Sequence, residues 1–161
     1  MPQLKRKDFA HYFDTKNGAD GSPEWTLEGI GVEALSLAYN PQIDTFKQII
    51  DDVASSTFDS YQIQSSISGK RIDKSDAIWT WLNTARKKAE SIETKLLEVD
   101  MSSKSTSTST YEALQYDVLV VINEFLGENA TISYDVYVKG KPTVGSVSIT
   151  GGNPSFTPGA E

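Results

Sequence analysis

The stretch that decides the fold is residues 118–149, VLVVINEFLGENATISYDVYVKGKPTVGSVSI. It opens with a continuous apolar run, Val118–Ile122, which is typical of a strand buried on both faces. A turn is predicted at Gly127–Asn129, after which apolar and polar residues alternate over Ile132–Val138 and again near the end of the stretch. Gly140–Pro142 separates the two alternating runs and predicts a second turn. This part of the chain is therefore expected to form short β-strands joined by turns.

One helix is predicted upstream, at about residues 75–91. Ile78 and Leu82 belong to an apolar stripe with the spacing of an amphipathic helix. Asp73 or Ser75 is expected to cap its start, because a side-chain oxygen there can accept a hydrogen bond from an unpaired backbone N–H. The apolar residues that follow, around Leu96 and Val99, predict another strand.

Three segments before the helix differ in how clearly they predict a strand. Leu35 and Leu37 alternate with small residues, and Asn40-Pro41 is expected to end their strand. Residues 43–54 are ambiguous, since their apolar residues fit helical spacing while their Thr and Ile content suits a strand. Residues 60–68 predict a strand with one apolar and one neutral polar face. The polar face comprises Ser60, Gln62, Gln64 and Ser66.

The N-terminal residues and one internal segment have no regular pattern. Phe9, Tyr12 and Phe13 fit neither helical nor strand periodicity, and turn-forming residues follow them at 17–23, so an irregular arm is expected. Residues 102–110 are Ser, Thr and Lys only, which predicts a solvated, mobile loop. Several short strands, regular turns and one helix predict a single, mainly β domain with one α-helix, arranged as a β-sandwich or barrel.

Composition excludes several kinds of chemistry. The 161 residues include no cysteine and one histidine, so thiolate sites and histidine metal clusters are excluded. His11, in the expected arm, is interpreted as a surface residue. The net charge of -7 opposes tight nonspecific binding of nucleic acid. No secretory signal, membrane span or phosphate-binding motif is found. We expect no enzyme activity, no catalytic residues, no cofactor and no metal.

The whole chain resembles the tail tube proteins, or major tail proteins, of long-tailed, non-contractile bacteriophages. The N-terminal arm leads to Glu24–Gly31, and a strand ending in Tyr39-Asn40-Pro41 is followed by Thr45–Ile50. The polar-faced strand Ser60 to Ser68 comes next, and then the helix with Asp76-Ala77-Ile78. The resemblance is completed by two C-terminal segments, Val138–Ser146 and Gly151–Pro158.

The resemblance implies a β-sandwich whose inner sheet joins neighbouring subunits into a ring-shaped β-barrel. Six-membered rings of such proteins stack into a tube, through which genomic DNA passes during ejection. By position, residues 1–31 would be an N-terminal arm, 32–149 the tail tube domain, 43–69 a long hairpin and 150–161 a C-terminal arm. The chain would be a virion protein of the phage tail, assembled in the host cytoplasm.

The same resemblance implies particular partners and contact residues. The partners are other copies of the chain, together with tail terminator, tape measure and distal tail proteins, and no membrane. The polar face of residues 60–66 would line the lumen, where an acidic field and neutral side chains let double-stranded DNA pass transiently without sticking. Contacts between subunits or rings are expected from Phe9, Tyr12, Phe13, Trp25, Phe46 and Phe156.

Two other functions fit the sequence. A carbohydrate-binding or adhesin-type β-sandwich would use Trp25, Trp79 and Trp81 as a stacking platform. The inner tube protein of a contractile tail or injection system has a similar fold and differs in its partners. These alternatives share the expectation of a structural or binding module rather than an enzyme.

Overall fold

The computed structural model describes residues 3–18, 22–32, 35–50, 52–127 and 129–159. Within these ranges the fold is mainly β with one α-helix, as the sequence predicts. A turn of 3-10 helix at Arg6–Asp8 precedes the first strand. The elements in chain order are β1 (Phe9–Asp14), β2 (Trp25–Leu27), β3 (Pro41–Phe46), β4 (Ser55–Tyr61), β5 (Gln64–Arg71), α1 (Ala77–Lys88), β6 (Ile92–Asp100), β7 (Tyr111–Phe125), β8 (Thr131–Thr150) and β9 (Asn153–Pro158).

Seven strands form one antiparallel sheet, in the order β2-β1-β6-β7-β8-β5, with β9 also paired to β8. The first part of β8 pairs with β5, and its last part, Gly145–Thr150, pairs with β9. The sheet curls until it is nearly closed, so that Trp25 of β2 and Phe156 of β9 pack in the same cluster. Strands β3 and β4 form a separate two-stranded sheet.

Strand β8 runs without reversal through Gly140–Pro142, so the turn predicted there is wrong. Gln115 of β7 pairs with Thr143, whereas Asp117 pairs with Lys139, so extra residues of β8 form a bulge opposite a single residue of β7. Gly140 takes a φ of 76°, which suits glycine, and Pro142 lacks the N–H that a ladder position would use. Turn-forming residues here bend a continuous strand.

The two faces of the sheet carry two separate cores. The first lies between the sheet and α1. It contains Phe13, Leu35, Ile67, Ile78, Trp81, Leu82, Ile92, Leu96, Tyr116, Val118, Val120, Ile132, Tyr134 and Val136. The second lies inside the curl of the sheet and contains Tyr12, Trp25, Leu97, Val99, Ala113 and Val147. Adjacent residues such as Leu96 and Leu97 therefore point into different cores.

Helix α1 is shorter than predicted at both ends. Its N-cap is Asp76, whose side chain accepts a hydrogen bond from the backbone N–H of Ile78, and not Asp73 or Ser75. Asp73 instead accepts hydrogen bonds from the backbone and side chain of Ser75 in the preceding turn. The helix ends at Ala89, which adopts the left-handed conformation at φ 53°.

The N-terminal aromatic residues belong to a strand, so the expectation of an irregular segment there is wrong. Strand β1 pairs with both β2 and β6. Tyr12 points into the second core and Phe13 into the first, so both faces of β1 are buried and no polar alternation marks the strand in the sequence. His11 is also buried, contrary to its interpretation as a surface residue, and its Nε2 lies 3.1 Å from Glu98 Oε2.

The strand predicted around Leu35 and Leu37 is wrong. Leu35 is buried, but residues 35–37 are not in a strand, and Ala38 makes only an isolated bridge to Gln64. Ala34, one of the small residues of that predicted pattern, lies outside the described residues. In the C-terminal segment, Gly151 and Gly152 turn the chain so that β9 folds back on β8. Residues 102–110 form an irregular loop, as predicted.

Candidate assembly interface

The hairpin of β3 and β4 is the most exposed part of the fold. The two strands pair with each other from Pro41 opposite Tyr61 to Phe46 opposite Ser55. Every described residue from Ile43 to Asp59 is exposed, on both faces of the hairpin. A two-stranded hairpin without a packed face is only marginally stable in water. This hairpin therefore lacks, within the chain, the packing that ordinarily stabilises such a structure.

The hairpin carries large apolar side chains in spite of this exposure. Phe46 is 67% exposed and Ile49 is fully exposed at the tip. At its base, the ring centroids of Tyr39 and Tyr61 lie 5.5 Å apart, and those of Phe58 and Tyr61 lie 4.7 Å apart. The exposed apolar set is Ile43, Phe46, Ile49, Ile50, Val53 and Phe58. Contiguous exposed apolar surface of this kind marks interaction sites.

The predicted hairpin of residues 43–69 includes one strand too many. Strand β5 lies within that range, but it leaves the hairpin and pairs with β8 of the main sheet. The hairpin itself comprises β3, β4 and their connection, of which Asp51 lies outside the described residues. Pro41, expected to end a strand, occupies the first position of β3, where a missing N–H is tolerated.

The four residues of the predicted polar face do not lie on one strand. Ser60 belongs to β4 and Gln62 to the link between β4 and β5. Gln64 and Ser66 are exposed on β5, where Ser65 and Ile67 point inward and are buried. The predicted alternation is therefore correct from residue 64 onward, whereas Ser60 belongs to a different sheet and Gln62 to no strand.

Gln64 and Ser66 lie on the face of the main sheet that is turned away from the first core, where polar side chains are mixed with Leu119, Val121 and Tyr137. Strands β5, β8, β7 and β6 lie side by side here, with the first core behind them. Pairing places Gln64 beside Tyr137, and Ser66 beside Asp135, on the side away from the core. The charged residues at the centre of this face are Glu93, Lys95, Asp117, Asp135 and Lys139. Three carboxylates and two amines give it a small excess of negative charge.

One edge of this four-stranded region is open over part of its length. At the β5 edge, residues 66–69 pair with no strand among the described residues, but Ala38 bridges to Gln64 on one side of them and the Arg71 N–H donates to the Gly31 carbonyl on the other, so the chain itself covers part of this edge. At the other edge, β1 pairs with β6 from Leu96 onward, so that Ile92–Lys95 extends past its partner. Unpaired strand edges are templates for pairing with another chain. Three successive antiparallel pairings make β5 and β6 run in opposite directions.

The residues expected to make subunit contacts differ widely in exposure. Tyr12, Phe13 and Trp25 fill the chain's own cores, so they are core residues rather than surface contacts. Phe9 is half-buried, and Phe156 is half-buried against the second core. Phe46 is the exposed member of the set. Burial of β1 on both faces explains why the first three are unavailable.

The tryptophan side chains do not form the platform that glycan binding would need. Trp25 lies in the second core and Trp81 in the first, where Trp81 Nε1 donates a hydrogen bond to Asn17 Oδ1 at 2.8 Å. Trp79 is half-buried and stacks on Phe125, with ring centroids 6.0 Å apart and planes 7° from parallel. The stacking platform proposed for a carbohydrate-binding module is therefore contradicted.

The described residues contain neither a metal-binding cluster nor a membrane-spanning helix. Those residues include no group of three or more His, Cys, Asp or Glu side chains placed to hold a metal ion. None of the helices they form has the length and apolar character needed to cross a bilayer.

Comparison with known proteins gives a likeness of backbone only. No protein-family model matches the chain, and no curated protein matches it. Among solved structures, it is similar to a chain in the cryo-EM structure of the anti-feeding prophage baseplate, symmetrised six-fold, with a TM-score of 0.49 and 9% sequence identity. The alignment covers 89% of this chain and 95% of that one.

Proposed function

We propose that this chain is a structural subunit that polymerises with copies of itself into stacked hexameric rings, forming the tail tube of a bacteriophage. The observation that carries the proposal is the hairpin of β3 and β4, which is exposed on both faces in the single chain and carries six large apolar side chains there. A hairpin that cannot bury its side chains within its own subunit gains stability by burying them against another.

The stretch of β6 that extends past β1 provides a way to close a ring. In this proposal, Ile92–Lys95 pairs with residues 66–69 of β5 in the next subunit, and the backbone that Gly31 and Ala38 bring to that edge moves aside. Because β5 and β6 run in opposite directions, the new pairing keeps the shared sheet antiparallel. The contact is head-to-tail, and such contacts form closed rings when the rotation between subunits closes. Ring closure would also remove the exposed edges.

The face of the main sheet that includes Gln64 and Ser66 would then line the lumen and allow DNA to pass. Its neutral side chains and small excess of carboxylates provide few of the cationic contacts with which proteins hold phosphates. Lys139 Nζ lies 3.1 Å from Glu93 Oε1, so one of its two central amines is paired. The hairpin would reach a neighbouring ring, and Phe46 at its exposed edge is a contact residue in this arrangement.

The proposal places the chain in the virion, after assembly in the host cytoplasm. Partners at the tube ends would be tail terminator and distal tail proteins, and a tape measure protein would occupy the lumen during assembly. The inner tube of a contractile tail is the alternative assembly of the same kind, with a sheath as an additional partner.

Electron microscopy of the purified chain tests the proposal. We expect tubes or rings for the natural chain, and single subunits for Phe46→Asp with Ile49→Asp, because burying unpaired carboxylates is costly. Thr106→Asp with Ser107→Asp, at two exposed positions of the loop 102–110, is the matched control, because it adds the same two carboxylates away from the hairpin and should leave the tubes unchanged. A natural chain that stays monomeric at high concentration contradicts the proposal, as do tubes that form equally well from the doubly substituted chain.

A further inference from the structure

Three ionisable side chains meet in the first core, beneath the start of α1. Lys70 Nζ lies 2.6 Å from Glu28 Oε1 and 2.7 Å from Asp76 Oδ2. Lys70 and Glu28 side chains are 0% exposed, and that of Asp76 is 2% exposed. Lys70 also donates to the Ile30 carbonyl at 2.5 Å, and the Tyr134 hydroxyl donates to Glu28 Oε2 at 2.5 Å.

Local structure brings these groups together. A register shift between Ile67 and Lys70 puts the Lys70 side chain on the inward side of β5. Asp76 is held in place as the N-cap of α1, and the Glu28 backbone N–H donates to His11 of β1. Burying three charges is costly even when they are paired, because the attraction repays desolvation only where the geometry is excellent.

One contact in the cluster is close but not aligned as a hydrogen bond. Asp76 Oδ2 is buried and has no hydrogen-bond partner, although Lys70 Nζ lies 2.7 Å away. Adding a C–O bond of about 1.2 Å places Nζ within about 4 Å of Asp76 Cγ. That separation is close to the approach from which an amine attacks a carboxyl carbon. An amine, a carboxyl carbon and a second carboxylate are thus enclosed together without bulk solvent.

We propose that Lys70 and Asp76 condense to an isopeptide bond between Nζ and Cγ, with Glu28 as the proton-transfer group. An ammonium and a carboxylate become an amide and one water, so the reaction needs no oxidant and no activated co-substrate. The bond is a covalent modification made by the folded chain on itself.

The order of bond changes follows from the contacts. Glu28 first takes a proton from the Lys70 ammonium at 2.6 Å, which frees the lone pair on Nζ. Glu28 passes this proton to Asp76 Oδ2, so that Nζ attacks Cγ of a neutral carboxylic acid, and negative charge develops on Oδ1. The Ile78 N–H, 3.0 Å from Oδ1 at the start of the helix, stabilises that charge.

Loss of water completes the bond. Glu28 relays a second proton from Nζ to Oδ2, the C–Oδ2 bond breaks with its electron pair, and water leaves. Oδ1 remains as the amide oxygen, and Glu28 returns to its carboxylate form. Burial raises the pKa of Glu28, and the charge of Lys70 offsets part of that rise, so the carboxylate holds a proton more readily than an exposed one.

Mass spectrometry of the purified natural chain under denaturing conditions tests the inference directly. We expect a mass about 18 Da below that of the sequence, the mass of one water. Trypsin does not cleave after an acylated lysine, so digestion should give a branched peptide joining residues 48–71 to residues 75–86. Full mass and separate peptides 48–70 and 75–86 after prolonged incubation of the folded protein overturn the inference.

Two variants separate the chemistry from folding. Asp76→Ser removes the carboxyl carbon but keeps a good helix N-cap, so circular dichroism should remain that of a folded chain at the full sequence mass. Glu28→Gln keeps the shape of the side chain and should leave Lys70 unlinked. A mass loss that persists in Asp76→Ser assigns the dehydration to another site and counts against the proposed bond. The measurement on the natural chain decides the question even if both variants unfold.

Discussion

Replacing Phe13 by alanine tests whether the N-terminal segment is part of the fold or an arm. The ring is completely buried, with its centroid 5.4 Å from that of Trp81 and 6.3 Å from that of Tyr134. Removal of a buried phenylalanine ring costs about 3–5 kcal/mol of unfolding free energy, through lost burial and the cavity left behind. We expect the upper part of that range, because two other aromatic rings face the cavity.

Urea unfolding, followed by tryptophan fluorescence at a dilution where the chain is a single subunit, measures the effect. With a slope of about 2 kcal/mol per molar urea, the midpoint for Phe13→Ala should fall by about 2 M. Phe46→Ala is the matched control, since that ring is 67% exposed, and its free energy of unfolding should change by less than about 0.5 kcal/mol. A loss below about 1 kcal/mol for Phe13→Ala would refute the placement of β1 in the core.

Other predictions follow from single features of the fold. Ala89→Gly should raise the free energy of unfolding, measured in thermal melts, by about 0.5–1 kcal/mol, because Ala89 ends α1 in the left-handed conformation, at φ 53°, which glycine adopts more easily. Ala85→Gly, within the helix, should lower that free energy. Gly145→Ala should loosen β9, since the new Cβ would clash with the Thr157 carbonyl oxygen, and faster hydrogen exchange confined to β8 and β9 would show this. Burial raises the pKa of Tyr134, so the unfolded chain releases that proton first as the pH passes about 10. The free energy of unfolding should therefore fall as the pH rises from there. Ultraviolet titration that ionises Tyr134 before the chain unfolds would contradict this.

Secondary structure is predicted most reliably from the sequence where one face of an element is buried and the other is exposed to solvent. The alternation of Ile132–Val138 and the stripe of Ile78 and Leu82 both have that arrangement, and both elements are found. Neither face of strand β1 is exposed to solvent, so its apolar and polar residues do not alternate along the sequence. The hairpin has no buried face in the single chain, which explains why residues 43–54 fit two patterns equally well.

Two other features could not be read from local patterns. Gly140–Pro142 satisfies the requirements of a turn and of a bulge alike, and only the partner strand decides between them. Lys70 is a residue type that is nearly always exposed, so nothing local predicts its burial. Its contacts come from residues 42 positions before and 6 positions after it in the chain, and only folding brings Glu28 and Asp76 together around it.

The bend in β8 has a consequence for how the protein loses its structure. Strands β7 and β8 run continuously through both cores, so opening one core pulls on the strands that hold the other. Hydrogen exchange in the two cores should therefore report one opening free energy, and a load applied to the sheet would be resisted by the whole subunit.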